Sequence, residues 1–227
     1  SDIVIPGYDR PLNELDRLNK ALVTGTVELD STNTQLRHAM DHLNKEVEER
    51  KQAESLLQKI NRTLKAHINS GRAMMHARNE TDYLNEVCRI VAEDCGHKMV
   101  WVGFAQNDSA KTVRPVAHCG FDEEYLKNMY ITWDDSPHGR GPSGTAIRNK
   151  QVSVCKNMLT DPNFEPWREQ ATGRGYASSV AIPILSNGDI LGVISIYSNL
   201  PDAFSNDEIG LLSSLTNDLG YGISSIR

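Results

Sequence analysis

Apolar residues are distributed along this chain in two different ways. In residues 31–68 single apolar residues stand three or four positions apart in a polar background, whereas residues 98–104 and 180–197 are almost continuously apolar. Spacings of three and four place side chains on one face of a helix, and short apolar runs bounded by turn residues are typical of buried strands. The pattern therefore predicts a long polar helix that precedes a domain with a buried sheet.

The long helix carries a heptad seam. Its first half repeats apolar residues four and three positions apart: Leu36, Met40, Leu43 and Val47. Its second half continues in a shifted phase: Ala53, Leu57, Ile60 and Leu64. Such a repeat is typical of a parallel two-stranded coiled coil, and the break near Arg50 must change the supercoil locally. We expect a signalling coiled coil over residues 31–68; the alternative is one amphipathic helix lying on a globular domain.

Residues 1–30 form a separate N-terminal helical segment in this interpretation. Pro11 is a good first helical residue, and leucines follow it at helical spacing until Gly25 interrupts them. The segment resembles the first helix of a HAMP signal-relay unit, but the acidic-Gly start of a second HAMP helix is missing.

The rest of the chain mixes both periods. Helices are predicted at 64–77, 82–93, 145–149, 163–172 and 205–226, and strands at 99–105, 113–118, 152–155, 178–185 and 190–197. Ser-Asn-Gly-Asp at 186–189 is a strong hairpin turn between the last two strands. This order predicts an α+β fold with an antiparallel sheet.

Composition and charge narrow the class of protein. The net charge is -6, which leaves no basic footprint for a nucleic acid. No apolar run is long enough to span a bilayer, so we expect any membrane segment of the parent protein to lie outside this chain. The 4 cysteines match no zinc spacing, and we expect thiols in a cytoplasmic protein.

Several separated motifs carry a family resemblance. His-Gly-Arg-Gly-Pro-Ser-Gly-Thr at 138–145 is a glycine-rich loop that runs into a short helix, and Asn-Phe-Glu-Pro-Trp-Arg follows at 163–168. Arg-Gly-Tyr-Ala-Ser-Ser-Val at 174–180 and Gly-Asp-Ile-Leu-Gly-Val at 188–193 complete the set. In this order the motifs resemble a GAF domain over residues 66–227. The resemblance implies a PAS-like fold, with helices on both sides of a central antiparallel sheet, and a role in a bacterial or archaeal sensor such as a histidine kinase.

The glycine loop also matches the dinucleotide-binding pattern G-x-G-x-x-G. That fingerprint needs a preceding strand and a βαβ unit, whereas here a polar loop precedes it and Pro142 removes an amide. We interpret it as a tight loop whose glycines adopt positive φ before a helix begins. Arg140, with the free amides of that helix, is a candidate for weak anion binding.

The family resemblance implies a ligand pocket between the sheet and the middle of the domain. Its candidate wall consists of Trp101, Trp133, His138, Cys155, Phe164, Trp167, Tyr176 and Ser178. Apolar walls with a few polar tips suit a small molecule. The alternative is that Trp101 and Trp167 are ordinary core residues.

The sequence leaves the ligand unknown. Some similar GAF domains hold haem, for which His138, His118 and Cys155 are the candidate ligands in this chain, although no C-x-x-C-H motif occurs. A bilin is disfavoured because the Cys-His pair of the phytochromes is missing. Free methionine-(R)-sulfoxide reductases resemble this loop but carry a cysteine where Ser143 stands, and serine is not a redox nucleophile.

These observations predict a regulatory fragment without catalysis of its own. We expect a homodimer through the coiled coil and the final helix, and a small-molecule ligand that biases the helices. The output domain, a two-component histidine kinase or a cyclic-di-GMP enzyme, is expected outside this chain. The alternatives are a ligand-free structural dimerisation module and a sulfoxide reductase.

Overall fold

The chain consists of two units, Ser1–Leu56 and Leu57–Arg227. The computed structural model describes residues 9–120 and 129–227, with side chains from residue 14 onward. The first eight residues of the predicted segment 1–30 lie outside the described residues, and so does the side chain of Pro11.

Helix α1 spans Asp9–His76. It continues through Gly25, where we predicted an interruption, because one glycine inside a helix costs only about 1 kcal/mol relative to alanine. All described side chains up to residue 56 are exposed, and the first half of the seam is between 50% and 58% exposed. Ion pairs one turn apart, such as Lys20 with Asp16, support this stretch. Within residues 9–120 and 129–227, no helix has an apolar stretch long enough to cross a bilayer.

Helix α2, Glu80–Glu93, follows after a short turn. Asn79 caps it, because its side-chain oxygen accepts a hydrogen bond from the backbone N–H of Asp82 at 2.8 Å. The helix therefore begins two residues before the predicted start at residue 82. Its apolar face, which includes Leu84 and Val87, is buried.

Five strands form one antiparallel sheet within the described residues, in the order β2-β1-β5-β4-β3. Their bounds are β1 Met99–Ala105, β2 Val113–Cys119, β3 Ser153–Cys155, β4 Ser178–Ser186 and β5 Asp189–Ser198. β4 and β5 are joined at Asn187 and Gly188, which both have positive φ, of 50° and 86°. The predicted α+β fold and hairpin are confirmed.

Apart from β3, residues 129–177 are mostly helical or irregular. Helix α3 spans Pro142–Asn149 and begins three residues earlier than predicted, because Pro142 takes the first helical position, where its missing N–H costs nothing. The predicted helix at 163–172 is a 3-10 turn, Pro162–Trp167, followed by helix α4, Arg168–Thr172. Helix α5, Asn206–Ile226, ends the chain.

The sheet separates two apolar cores. The first core joins the sheet to α2 and α5, and includes Val100, Val102, Val180, Ile196, Leu84, Val87, Leu215 and Leu219. The second core lies on the other face, and includes Met99, Trp101, Cys155, Met158, Phe164, Trp167, Tyr176 and Tyr197. Neighbouring positions of a strand point to opposite cores, as Val180 and Ala181 do.

The last part of α1, from Leu57 onward, belongs to the same unit as the sheet. Ala66 is buried in the first core. The ammonium group of Lys59 donates to the carbonyl oxygen of Ala203 at 3.3 Å, and His67 Nε2 lies 2.6 Å from a carboxylate oxygen of Asp218. These contacts tie α1 to α5 and to the loop before it.

Candidate functional site

The glycine-rich loop is organised around the carboxylate of Asp134. Oδ1 of Asp134 accepts hydrogen bonds from the hydroxyl of Thr132 at 2.6 Å, and from the hydroxyl and backbone N–H of Ser136 at 2.7 and 3.1 Å. The Thr132 and Ser136 bonds lower the pKa of Asp134 to about 2. Arg148 of α3 donates to the carbonyl oxygens of Asp134 and Gly139 at 2.6 and 2.9 Å. These hydrogen bonds hold the loop in one conformation next to the second core.

Glycine is required in this loop by crowding. None of Gly139, Gly141 and Gly144 has positive φ, so the predicted reason was wrong. A Cβ at Gly144 would lie 2.3 Å from the carbonyl oxygens of Gly139 and Thr132. A Cβ at Gly141 would lie 2.4 Å from the Trp167 ring. The glycines allow close approach of a ring and of backbone.

A small cavity lies beneath the loop, within the second core. Its volume is about 10 Å³. It is lined by Met129, Ile131, Gly141, Pro142, Ser143, Gly144, Phe164, Trp167 and Tyr197. Such a volume suits about one water molecule, whereas small-molecule pockets measure roughly 300–1,000 Å³. The place where the resemblance implies a ligand is therefore filled by the side chains of this chain.

Aromatic rings do most of this filling. The ring centroids of Phe164 and Trp167 are 5.9 Å apart, and those of Tyr176 and Tyr197 are 5.4 Å apart in an edge-to-face arrangement. Phe164 and Trp167 stand on the 3-10 turn, so the outer wall of the cavity is held by a short element. The structure brings Trp101, Cys155, Phe164, Trp167 and Tyr176, all predicted for the site, into the second core.

Buried polar groups also occur in this layer. The hydroxyls of Ser143 and Ser195 lie 2.9 Å apart and hydrogen-bond each other. Trp101 is fully buried, and its indole N–H has no acceptor among the described residues. The hydroxyl of Ser179, also buried, has no partner among those residues either.

Two predicted residues lie at the rim. Trp133 is half-buried and packs against the second core, and its indole N–H donates to the carbonyl oxygen of Gln106 at 3.0 Å. His138 is exposed, and its ring packs edge-on against Trp167 with centroids 6.0 Å apart. Neither residue lines the cavity.

The guanidinium of Arg140 pairs with a carboxylate of the same loop. Its side chain is exposed, and its Nε lies 3.0 Å from a carboxylate oxygen of Asp135. The carboxylates of Asp134 and Asp135 in the same loop would repel an added anion. The predicted weak anion site has no support in this geometry.

Ser178 lies on the other side of the sheet. It shares a strand face with Val180 and Ile182 of the first core. Its hydroxyl donates to the carbonyl oxygen of Leu200 at 2.6 Å, so its hydrogen bonding is already used. Ser179 is the neighbour that faces the second core. From sequence, the alternation of side chains along the strand could have shown that Ser179 faces the second core only if the two faces of the sheet had differed in polarity.

A family model described as GAF domain matches residues 77–224. The chain belongs to the GAF domain family. The GAF domain is a general sensory and regulatory fold, and the antiparallel sheet with helices on both faces agrees with it. No curated protein matches the chain.

Solved GAF structures resemble this domain at low identity. One is the GAF domain of a phosphoenolpyruvate-protein phosphotransferase from Coxiella burnetii, with 18% identity, a TM-score of 0.61, and coverage of 73% of this chain and 95% of that one. Another is free methionine-R-sulfoxide reductase from Neisseria meningitidis in complex with its substrate, with 16% identity, a TM-score of 0.61, and coverage of 73% and 90%. The A. aeolicus Nlh2 GAF domain in an inactive state has 17% identity, a TM-score of 0.57, and coverage of 75% and 100%. These likenesses show the fold.

The described residues of this GAF domain do not fit haem. The cavity of about 10 Å³ cannot hold a macrocycle. Cys155 has no exposed surface, and burial, followed by the nearby Asp161 carboxylate, raises the pKa of its thiol to about 12, so it is not a thiolate at neutral pH. His138 is exposed, and His118 stands on β2 as the cross-strand partner of Trp101. None of the three candidate ligands lines the cavity.

Proposed function

We propose that this GAF domain is the sensory module of a signalling protein and binds a small molecule in the second core. The binding signal passes through α1 and α5 to an output domain, a histidine kinase or a cyclic-di-GMP enzyme, outside residues 1–227. The observation that carries the proposal is the pair of unpartnered buried polar groups, Trp101 Nε1–H and the Ser179 hydroxyl, in the layer that holds the cavity. A buried polar group without a partner costs about 1–3 kcal/mol, and a ligand can recover this energy.

The elements around the cavity support a route for the signal. Tyr197, at the end of β5, lines the cavity, and the loop that follows β5 accepts the Lys59 hydrogen bond at Ala203. Displacing Tyr197 or the 3-10 turn would move this loop and the start of α5. A change of about 1–3 kcal/mol in the balance between two helix arrangements is enough for a regulatory response.

A ligand-free structural module is the second candidate function. The observation that favours it is the cavity volume of about 10 Å³, because the side chains of the chain itself already fill the layer. The two candidates differ in whether the 3-10 turn opens in solution.

Native mass spectrometry of the purified 227-residue chain, joined to a thermal-shift screen of metabolites, tests the proposal. We expect a bound mass or a compound that raises Tm, together with slower amide hydrogen exchange in both the 3-10 turn and α5. A chain that carries no adduct, responds to no compound and keeps the 3-10 turn protected from exchange would establish the structural module instead.

A sulfoxide reductase has no corresponding support. Residue 143 is serine, and its hydroxyl is held by Ser195 at 2.9 Å inside the core. The buried thiol of Cys155, with its raised pKa, does not replace a reactive cysteine at that position. We expect no turnover of free methionine-(R)-sulfoxide in a coupled assay.

A further inference from the structure

The tryptophan indoles differ in how their N–H groups are satisfied. Trp133 donates to the carbonyl oxygen of Gln106 at 3.0 Å, and Trp167 donates to that of Tyr130 at 3.2 Å. Trp101 is the most buried of these tryptophans, at 0% exposure, yet its N–H has no acceptor among the described residues. A bound molecule with a hydrogen-bond acceptor would supply the missing partner.

Two adjacent serines of β4 show the same contrast. Ser178 donates to the carbonyl oxygen of Leu200 at 2.6 Å, on the side of the first core. Ser179 faces the second core, is 2% exposed and has no partner among the described residues. Its hydroxyl can either donate to or accept from a ligand.

Both unpartnered groups stand next to the cavity wall. Ser179 pairs across the sheet with Tyr197, which lines the cavity. Trp101 pairs with Ser195, whose hydroxyl bonds the cavity-lining Ser143. Directly opposed residues on neighbouring strands have their Cβ atoms about 4.5–5.5 Å apart. Strand β5 lies between the strands that carry Trp101 and Ser179, so a molecule that displaced the outer wall would meet both groups only if it lay across β5.

The cavity wall offers no positive charge to a ligand. Among the described residues, none that lines the cavity is acidic or basic, and the carboxylate of Asp161, which lies beside the thiol of Cys155, would repel an anion. The nearby guanidinium of Arg168 donates instead to the carbonyl oxygens of Met158 and Asp161, at 3.1 and 2.8 Å. An ion moved into such a layer loses its hydration without gaining a counter-charge, which costs far more than burying a neutral polar group.

We propose that the ligand is an uncharged, flat molecule with a hydrogen-bond acceptor, bound by the Trp101 N–H and the Ser179 hydroxyl. This inference rests on the proposed function and adds the chemical class of the ligand. The flat shape follows from the aromatic walls, Phe164 and Trp167, because aromatic faces pack well on planar groups. Charged metabolites such as carboxylates and phosphates are excluded as ligands of this layer.

Three probes of similar size test separately the charge of the ligand and its hydrogen-bond acceptor. Benzamide is neutral and has an acceptor, benzoate is charged, and toluene is neutral and has no acceptor. Each is titrated into the 15N-labelled full chain, and the indole N–H signals are followed by NMR, with Trp101→Phe assigning the Trp101 signal. We expect benzamide to move the Trp101 signal downfield and to bind at least about tenfold more tightly than benzoate, a difference of about 1.4 kcal/mol. Toluene should leave the Trp101 N–H without a hydrogen bond and give no downfield shift.

Adjacent serine variants provide the matched control. Ser179→Ala should weaken benzamide binding about three- to tenfold, the usual effect of one hydrogen bond, whereas Ser178→Ala should leave the affinity unchanged. Equal or tighter binding of benzoate would overturn the inference while leaving a ligand-binding function intact. Benzamide that leaves the Trp101 signal unmoved, or that moves all indole signals alike, would also overturn it. Native mass spectrometry and the metabolite screen test the proposed function independently of this inference about the ligand class.

Discussion

The benzo ring of Trp167 occupies the space that a side chain at Gly141 would need. A Cβ built on Gly141 lies 2.4 Å from Cζ3 and 2.7 Å from Cη2 of that ring. Trp167 also donates from its indole to the carbonyl oxygen of Tyr130 at 3.2 Å, so the ring is held from two sides. The glycine loop and the 3-10 turn are therefore interlocked at this contact.

Gly141→Ala should loosen this contact. The added methyl forces the Trp167 ring to shift, and overpacking of this kind costs about 1–3 kcal/mol. Urea unfolding followed by tryptophan fluorescence measures the loss. Gly210→Ala is the control, because nothing lies within 4 Å of a Cβ there, and alanine inside helix α5 should stabilise the chain by about 0.5–1 kcal/mol. Equal stability of the two variants would contradict the interlock.

Gly144→Ala should be more damaging than Gly141→Ala. Its Cβ meets the carbonyl oxygens of Gly139 and Thr132 at 2.3 Å, and these are backbone atoms of the rigid loop rather than a ring that can tilt. We expect a lower Tm than for Gly141→Ala, and a loss of soluble protein if α3 cannot form. The ranking of Gly144, Gly141 and Gly210 variants is the measurement. A Gly144→Ala chain as stable as the parent would show that the loop relaxes freely.

The fold could be predicted largely because its elements have distinct patterns. The apolar run at residues 99–105 predicted β1 with the bounds of the structure, and Asn187-Gly188 predicted the hairpin. Gly25 misled the prediction because glycine signals a break locally, whereas helix α1 is supported on both sides of it. Helix-breaking tendencies of about 1 kcal/mol are small against that support.

The site was harder to predict, because its assignment depends on which face of the sheet a residue occupies. β4 is buried on both faces, so its sequence has no polar-apolar alternation to tell Ser178 from Ser179. His138 lies close to Trp167 as expected, but on the exposed rim. The crowding at Gly141 depends on Trp167, 26 positions away in sequence, and no local pattern encodes such a contact.

His97 should make stability depend on pH. Burial, followed by the positive charge of Lys59, lowers the pKa of His97 from 6.5 to about 4. Between these values the unfolded chain binds a proton that the folded chain rejects, so this contribution to stability is present above pH 6.5 and falls as the pH drops toward 4. The shift corresponds to about 3 kcal/mol. Urea unfolding of His97→Gln at pH 7 and pH 5 should show less acid loss than the parent chain.

Glu208 should change the pH dependence of stability in the direction opposite to His97. A variant of Glu208 therefore distinguishes the contributions of the two groups. Its carboxylate oxygen lies 3.6 Å from Nε2 of His97, and burial raises its pKa. A raised pKa stabilises the folded chain at low pH, and this contribution is lost as the pH rises through the folded pKa. Glu208→Gln should therefore steepen the acid loss that His97→Gln reduces. His138→Gln, at an exposed position, is the control and should leave the acid loss of stability unchanged. If His97→Gln and Glu208→Gln changed the acid loss in the same direction, this assignment would be wrong.

Leu43→Asp should break the predicted dimer. Leu43 belongs to the seam and is 57% exposed in the single chain. Light scattering of the parent chain should give twice its 25.3 kDa, and a buried aspartate pair should dissociate it because two like charges would lose their hydration. His42→Asp adds the same charge on the outer face and should leave the dimer intact. A parent chain that is monomeric at tens of micromolar would contradict the coiled coil.

Thiol labelling should distinguish Cys119 from the other cysteines. Cys119 is half-buried, whereas Cys88, Cys95 and Cys155 are buried. Burial raises the pKa of Cys95 and of Cys155 to about 12, so both lack the thiolate that attacks a disulfide reagent. Ellman's reagent at pH 7.5 should release one fast equivalent from the native chain and four in denaturant, and Cys119→Ala should abolish the fast one.

The slow reaction of Cys155 then measures how often the second core opens, because Cys155 lies beside Ser179 in the sheet. A ligand bound there should slow this reaction without affecting that of Cys88 in the first core. If Cys155 reacted as fast as Cys119, the second core would be open to water, and its unpartnered groups would have no need of a ligand.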